Sequence, residues 1–209
     1  CQDSPISWYD WDLAPWQNDL IATTRFLLRL RDEHPVMRPA AFASGRPADG
    51  DEIADLAWYR ADGEPMQGWT WHDPATRVIQ MLRSGRALGD DDLLVVINGS
   101  LDQVDVVLPD AHGKDWHLTW DSTWPVPRPH SSAFALARRV KRGPAAHWRA
   151  INPEGARAAR TGATDCRQDR PGDTTTLESL TMRIYLSGER LEPVAEPEPA
   201  PVPALAQDR

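Results

Sequence analysis

The sequence predicts a mainly β fold, an antiparallel β-sandwich that follows one loop and one amphipathic helix. Short apolar runs with period two begin near residue 53, and turn residues separate them roughly every 8–12 positions, which is typical of sandwich strands. Residues 18–31 instead carry apolar side chains at helical spacing, and no later stretch shows that pattern as well. A chain of 209 residues, 41% of them hydrophobic, is long enough to bury a core.

Charge and cysteine content exclude several classes of partner. The 23 basic and 31 acidic residues give a formal net charge of −8. This charge repels phosphate backbones and anionic lipids, so neither nucleic acid nor a membrane is an expected partner. Cys1 and Cys166 lie at nearly opposite ends of the chain and provide neither a disulfide framework nor metal-ligand spacing. We therefore expect a reducing, cytoplasmic setting.

The first residue is Cys1 and not methionine, which allows two interpretations. A mature bacterial lipoprotein begins with a lipidated cysteine, but a flexible polar tether normally follows it. Here Pro5, Ile6 and Trp8 follow almost at once and indicate ordered structure. We therefore expect a truncated piece of a longer protein, with a lipoprotein as the alternative.

A polar loop rich in tryptophan spans residues 3–16. Asp3, Trp8 and Trp11 are candidate carbohydrate contacts, because carboxylates accept hydrogen bonds from hydroxyls and indoles offer flat apolar faces for stacking. Buried aromatic side chains that fix the loop to the rest of the protein would explain the same pattern. Spacing alone favours this second interpretation.

The amphipathic helix is expected to begin at Asn18, which suits an N-cap, and to end before Pro35. Burying one leucine contributes roughly 1.5–3 kcal/mol, so its apolar stripe requires a partner surface. No second helix is predicted to provide that surface, and the isolated chain is therefore expected to self-associate. The stripe consists of Leu20, Ile21, Thr24, Leu27 and Leu28.

Six apolar runs are predicted strands, and the run at 93–97 is the expected buried central strand. The three acidic residues before it, 90–92, are interpreted as a solvated turn in preference to a cation site. The six runs are residues 53–60, 78–82, 93–97, 104–108, 116–120 and 182–186.

The predicted sandwich spans residues 39–124, and its pattern dissolves in a Pro- and Arg-rich insertion at 125–173. Within that insertion we expect a short helix at 133–140 and a solvated basic cluster. Residues 174–187 are the predicted closing strand. Residues 188–209 hold five prolines together with Glu and Ala, a composition that favours a disordered tail.

A search for catalytic motifs finds none. The sequence has no G-x-S-x-G, no H-E-x-x-H and no phosphate-binding glycine loop. The six histidines never occur at metal-ligand spacing. Glycoside hydrolysis needs two carboxylates, typically ~5–9.5 Å apart, and no pair is recognisable from sequence. The residues themselves therefore predict no catalytic residue, no metal ligand and no cofactor.

A linked series of motifs does resemble a known family. The runs CQDSPISWYDWD, LLRLRDEHPVMR, ADLAWYRADGEPMQGWTWHDP, LLVVINGS and VDVVLP are similar to the C-terminal end of bacterial glycogen debranching enzymes. These enzymes form the isoamylase-like branch of the α-amylase superfamily. The resemblance covers residues 1–124 well and the run at 180–186 more weakly. No counterpart is placed for the rest.

The resemblance implies a layout for the whole chain. Residues 1–38 would be the last loop and helix of a truncated (β/α)₈ barrel, and the sandwich would follow. The family's three catalytic carboxylates precede Cys1 and have no match here, so the chain alone would be inactive. The missing barrel would be a partner of this chain.

The implied activity is hydrolysis of α-1,6 branch linkages in an α-glucan such as glycogen or limit dextrin. Barrel active sites are built from loops at the carboxyl ends of the strands. Asp3, Trp8 and Trp11 would then lie near the substrate. The alternative is a stand-alone glucan-binding β-sandwich without catalysis.

Overall fold

A computed structural model describes residues 3–8, 11–127 and 167–188 as one α-helix, eight strands and short 3₁₀ turns. Within these residues, no helix is both apolar and long enough to span a bilayer. The helix α1 is Pro15–Glu33. The strands are β1 Ala57–Tyr59, β2 Val78–Arg83, β3 Leu93–Asn98, β4 Val104–Val107, β5 Asp115–Asp121, β6 Gln168–Asp169, β7 Thr174–Leu177 and β8 Thr181–Gly188.

The strands form two antiparallel sheets, which confirms the predicted mainly β class. Six strands pair in the order β1-β2-β3-β8-β5-β6, and β4 pairs with β7. The run at 93–97 forms β3, which lies between β2 and β8 as expected for a central strand. The partner β8 comes from far along the chain and is itself central, between β3 and β5.

The first hydrophobic core joins the two sheets. Trp116 of β5 and Tyr185 of β8 are its largest side chains, and Val106 and Leu177 contribute from the two-stranded sheet. The indole N–H of Trp116 donates to the Pro109 carbonyl at 2.8 Å, so this buried polar group is satisfied.

A second core lies on the opposite face of the six-stranded sheet. Neighbouring residues of a strand point to opposite faces, so Ile184 and Leu186 belong to this core while Tyr185 belongs to the first. Leu30 near the end of α1 and Val36 just after it pack here against Leu93 of β3. The helix therefore has a partner in this chain, which is the outer face of the sheet.

The start of the helix differs from the prediction. It begins at Pro15, with Ala14 and not Asn18 as the N-cap. Proline is favoured at the first helical position because its missing N–H would have no intrahelical partner there. Gln17 Oε1 accepts the Ala14 N–H at 2.8 Å, and Asn18 instead donates its side-chain amide to the Ala14 carbonyl at 3.3 Å.

The predicted apolar stripe is also only partly correct. Leu27 packs against the second core, but Leu20 and Leu28 are 57% and 61% exposed and Thr24 is exposed. The residues that the sheet covers lie toward the end of the helix, and Leu30 is the most buried of them at 4%. The sheet is reached only by the second half of α1.

The region after the sandwich is more strand-rich than predicted. The insertion was expected to end at residue 173, but β6 already pairs with β5 through Trp116 and Asp169. The segment 174–187, predicted as one closing strand, contains β7 and most of β8, which belong to different sheets. The predicted helix at 133–140 and the basic cluster lie outside the described residues. So does the predicted tail at 188–209, except for Gly188, which ends β8.

Candidate functional site

The N-terminal loop presents two of the three predicted carbohydrate contacts as a pair. A single 3₁₀ turn, Pro5–Ser7, follows Ser4 and brings Trp8 back toward Asp3. The Trp8 indole N–H donates to Asp3 Oδ1 at 2.5 Å, and the ring itself remains 62% exposed. Orientation of an exposed indole by an adjacent carboxylate suits stacking on a sugar ring.

Trp11, the third predicted contact, is 81% exposed, and Trp16 at the start of α1 is also exposed. Residue spacing favoured the alternative of a loop that buried aromatic side chains fix to the rest of the protein. Because Trp8, Trp11 and Trp16 are exposed, that alternative is wrong for these three residues. Trp8 and Trp11, together with Asp3, are called the N-terminal aromatic surface below. Its contact with substrate remains a prediction.

The exposed side of α1 continues the face that the sheet covers. Trp16, Leu20 and Leu27 lie at positions i, i+4 and i+11, which places them on one side of a helix with 3.6 residues per turn. Leu27 contacts the second core, whereas Trp16 and Leu20 are largely exposed. We call Trp16 and Leu20 the uncovered stripe.

A histidine and an aspartate fix the end of the helix to the sandwich. His34 Nδ1 lies 3.1 Å from Asp90 Oδ1, and Asp90 Oδ2 accepts the Val36 N–H at 3.1 Å. Burial opposes ionisation of Asp90, but the bonds from His34 and Val36 hold the pKa of its carboxyl below the usual value. The Asp90 side chain is fully buried, so the predicted solvated turn is wrong at this residue.

The same corner places three metal-ligating groups together. His34, Asp90 and Asp91 each offer one ligand atom, and these atoms lie within 4.8 Å of one another. The sequence could not show this because His34 and Asp90 are 56 positions apart. Asp90 already accepts hydrogen bonds from His34 and from the Val36 N–H through its two carboxylate oxygens. These bonds explain the arrangement as a structural connection between the end of α1 and the loop before β3.

A second histidine, His112, lies between two carboxylates. Its Nδ1 is 2.8 Å from Asp92 Oδ2 and its Nε2 is 2.5 Å from Asp51 Oδ1. Both ring nitrogens therefore face acceptors, and only the doubly protonated imidazolium can donate to both. Burial lowers the pKa of His112, but the bonds to Asp51 and Asp92 outweigh it and leave this pKa above the usual value.

The network around His112 connects three distant parts of the chain. Asp92 also accepts the Gly85 N–H at 2.9 Å, and its own N–H donates to Ser187 Oγ at 2.8 Å. Asp92 is 2% exposed, so the solvated-turn prediction fails here as well. Burial opposes ionisation of Asp51, but hydrogen bonds from His112, the Ile53 N–H and Ser84 lower the pKa of its carboxyl.

The pKa shifts of the buried aspartates bear on whether any of them could act as a catalytic acid. Asp51, Asp90 and Asp121 all have a lowered pKa, because each accepts hydrogen bonds that favour its ionised form. The acid of a glycoside hydrolase needs the opposite, a raised pKa that keeps its proton at neutral pH. In the part of the chain that the structure describes, these buried aspartates stabilise the fold and are unsuited to act as that acid.

Another group of tryptophans lies at β1, one edge of the six-stranded sheet. The rings of Trp58 and Trp71 meet edge to face, with centroids 5.5 Å apart. The Arg60 guanidinium lies over the Trp69 ring, 5.9 Å from its centroid. We call Trp58, Arg60, Trp69 and Trp71 the edge-strand aromatic cluster.

The sandwich matches a known domain family. Residues 55–129, which include β1 to β5, match the family described as "Isoamylase, C-terminal". Over these residues the chain is similar to the C-terminal domain of isoamylases. The strands β6 to β8 lie beyond the matched residues, although β8 is central in the sheet.

Similarity between this chain and known proteins extends beyond residues 55–129. A glycogen operon protein GlgX homolog of Mycobacterium tuberculosis is 33% identical over an alignment of 138 residues, and the match covers 60% of this chain and 19% of the relative. An isoamylase of Flavobacterium sp. is 29% identical over an alignment of 126 residues, and the match covers 58% of this chain and 16% of the relative.

A glycogen debranching enzyme of Cronobacter sakazakii is 34% identical over 111 residues, 53% of this chain and 14% of the relative. The matched region is thus less than a fifth of the length of each of these three relatives. The resemblance to glycogen debranching enzymes that the motifs predicted is confirmed.

Proposed function

We propose that this chain is the C-terminal part of a glycogen debranching enzyme that hydrolyses α-1,6 branch linkages of glycogen or limit dextrin. The observation that carries the proposal is the similarity of residues 55–129 to the C-terminal domain of isoamylases, together with relatives whose names include isoamylase and glycogen debranching enzyme. In this proposal the catalytic carboxylates belong to a (β/α)₈ barrel that residues 1–38 complete. The chain alone is inactive.

The packing of α1 supports a separation between a catalytic barrel and a sandwich that supports it. The second half of α1 is fixed by Leu30 and by the His34–Asp90 pair, whereas Trp16 and Leu20 of the uncovered stripe are largely exposed and belong to neither core of the described residues. Exposed apolar side chains on one helix face are typical of an interface. In the proposal the barrel covers this stripe, and the sandwich sets the position of its last helix.

The N-terminal aromatic surface gives the proposal its substrate contact. Loops at the carboxyl ends of barrel strands border the active site, and residues 3–11 would be such a loop. Asp3, Trp8 and Trp11 would then contact the α-glucan. The Asp3–Trp8 hydrogen bond supports this role because it orients an indole that remains exposed. A cytoplasmic location is part of the same proposal.

Incubation of the purified chain with glycogen limit dextrin tests whether catalysis lies outside it. Released linear oligosaccharides are measured as new reducing ends, with the Flavobacterium isoamylase as the positive control. The proposal expects no release above a heat-treated sample of the same chain. Sustained release in proportion to the amount of chain would contradict it.

A further inference from the structure

Two exposed indoles belong to the edge-strand aromatic cluster and not to the N-terminal loop. Trp69 is 63% exposed and Trp71 is 49% exposed, although both lie in the matched domain. Contiguous exposed apolar surface on a folded domain is typical of a binding or interaction site, whereas single scattered apolar residues are not. Residues 1–38 provide neither ring, so these two indoles are not among the proposed substrate contacts.

A buried threonine anchors the backbone between the two indoles. Thr70 lies between them in sequence and is 1% exposed. Its hydroxyl donates to the Gln67 carbonyl at 2.6 Å and accepts the Gln67 N–H at 2.9 Å. The following 3₁₀ turn, Thr70–His72, therefore has an anchored start. The rings themselves contact Trp58 and the Arg60 guanidinium, so they lose less conformational freedom when a ligand binds than unrestrained side chains would.

The backbone around the cluster argues against a peptide partner at this edge. An edge strand ordinarily offers unpaired N–H and C=O groups to an added strand. Here the Trp58 carbonyl accepts the Met66 N–H at 2.8 Å, and the Arg60 N–H donates to the Glu64 carbonyl at 2.8 Å. The chain's own residues 64–66 thus occupy the outer side of β1, leaving side chains as the means of recognition.

Polar and charged side chains lie in the same loop and turn as the rings. Arg60 forms a two-point ion pair with Asp62, with distances of 3.1 and 2.6 Å between nitrogen and oxygen atoms. The exposed side chains of Glu64 and His72 lie in the same loop and turn. Aromatic faces with hydrogen-bonding groups at their edges fit a polyhydroxylated ring, which is apolar on its faces and polar at its rim.

We infer that Trp69 and Trp71 form a second α-glucan-binding surface on the sandwich, distinct from the N-terminal aromatic surface. The ligand class rests on the proposed function, since a debranching enzyme acts on a polymer that is long enough to reach both surfaces. Stacking on the two indoles would retain a glucan chain near the enzyme without taking part in bond cleavage.

Glycogen retention measures this binding without any catalytic activity. The purified chain is run in native gels with and without glycogen, alongside Trp69→Ala, Trp71→Ala and the control Leu101→Ala, which removes another exposed apolar side chain. We expect glycogen to retard the wild type and the control. Each tryptophan variant should bind roughly fivefold more weakly, as expected for loss of one stacking contact.

Further variants separate binding from folding. Trp71→Phe keeps an aromatic ring against Trp58 and should retain more binding than Trp71→Ala at an unchanged thermal transition. Equal retardation of wild type, Trp69→Ala and Trp71→Ala would overturn the inference, and so would a wild type that glycogen does not retard. The proposed debranching function would stand in either case, because it is tested by oligosaccharide release and not by retention.

Discussion

The two halves of α1 carry similar apolar side chains but have different surroundings. Leu27 and Leu30 pack against Leu93, Ile184 and Leu186 on the outer face of the six-stranded sheet. Trp16 and Leu20 lie along the same side of the helix and are mostly exposed. Composition is therefore not what separates the halves. The sheet extends under only one of them.

This contrast shows what the sandwich does for the helix. The sandwich fixes the end of α1 through apolar contacts and the His34–Asp90 pair, and so sets the direction in which the rest of the helix projects. The projecting half presents the uncovered stripe, and the N-terminal aromatic surface precedes it in the chain. The second half should thus determine the stability of this chain, and the first half its associations.

Removing Leu30 should give the largest effect. Leu30→Ala leaves a cavity between α1 and the sheet and should lower the free energy of unfolding by about 2–5 kcal/mol. The matched control is Leu28→Ala, which truncates a 61% exposed leucine on the same helix and should change stability by less than about 0.5 kcal/mol. Urea unfolding followed by far-UV circular dichroism measures both. Similar losses would show that the sheet does not hold the helix end.

The His34–Asp90 pair should give the next largest effect. Asp90→Asn removes the charge that accepts from both His34 and the Val36 N–H, and should cost about 1–3 kcal/mol. The exposed Asp102 provides the control Asp102→Asn, for which no comparable loss is expected. Unfolding in urea compares the two. If Asp90→Asn lost no more unfolding free energy than the control, the His34–Asp90 pair would not stabilise the end of the helix.

The His112 network predicts a pH dependence of stability. His112 has a raised pKa in the folded state, so its contribution is complete below its unfolded pKa of about 6.5 and is lost as pH rises through the raised folded value. Asp51 has a lowered pKa, so its contribution is present above about pH 4 and is lost as pH falls through the lowered folded value.

Thermal unfolding of the wild type and of His112→Gln, between pH 5 and pH 9, tests the alkaline side. The wild type should lose stability across the upper part of this range, and the variant should lose much less. The other charged groups at the cavity beside His112 are Arg86, Asp90, Asp92 and Lys114, and both proteins retain them. Parallel curves for the two proteins would rule out His112 as the source.

The smallest effect on stability, with a clear effect on association, is expected at the uncovered stripe. The double variant Trp16→Lys, Leu20→Lys should leave the free energy of unfolding within about 0.5 kcal/mol of the wild type. It should reduce self-association, which light scattering measures, because exposed apolar side chains drive it. Leu101→Lys changes an exposed leucine elsewhere and should not reduce it. A wild type that is already a clean monomer would contradict the expected self-association.

The sequence predicted those elements in which apolar side chains repeat. The run at 93–97 is a predicted central strand because all five of its residues are apolar, and β3 confirms it. In β7, buried and exposed side chains alternate, but apolar and polar residue types do not. Thr175 is buried there, yet it is polar and accepts a bond from Arg183 Nη1 at 2.9 Å across the two sheets. A search for alternating apolar residues cannot detect such a strand.

The buried aspartates were missed for a related reason. Three consecutive acids at 90–92 suggest a solvated turn unless a partner is visible, and the partners of Asp90 and Asp92 are His34 and His112, 56 and 20 positions away. The helix start was misplaced because Pro15 and Gln17 together cap it better than Asn18 does. Side-chain exposure at Trp8 and Trp11 likewise depends on tertiary packing that residue spacing does not encode.

One measurement tests most directly whether this chain supplies the scaffold of a debranching enzyme and not its catalytic centre. A chimera joins the Cronobacter sakazakii glycogen debranching enzyme to this chain in place of its own aligned part, and its oligosaccharide release from limit dextrin is compared with that of the chimera carrying Trp16→Lys and Leu20→Lys. We expect the unmodified chimera to release oligosaccharide and the double variant to lose most of that rate, because the barrel can no longer cover the stripe. Equal rates from both proteins, or no release from the unmodified chimera, would contradict the account.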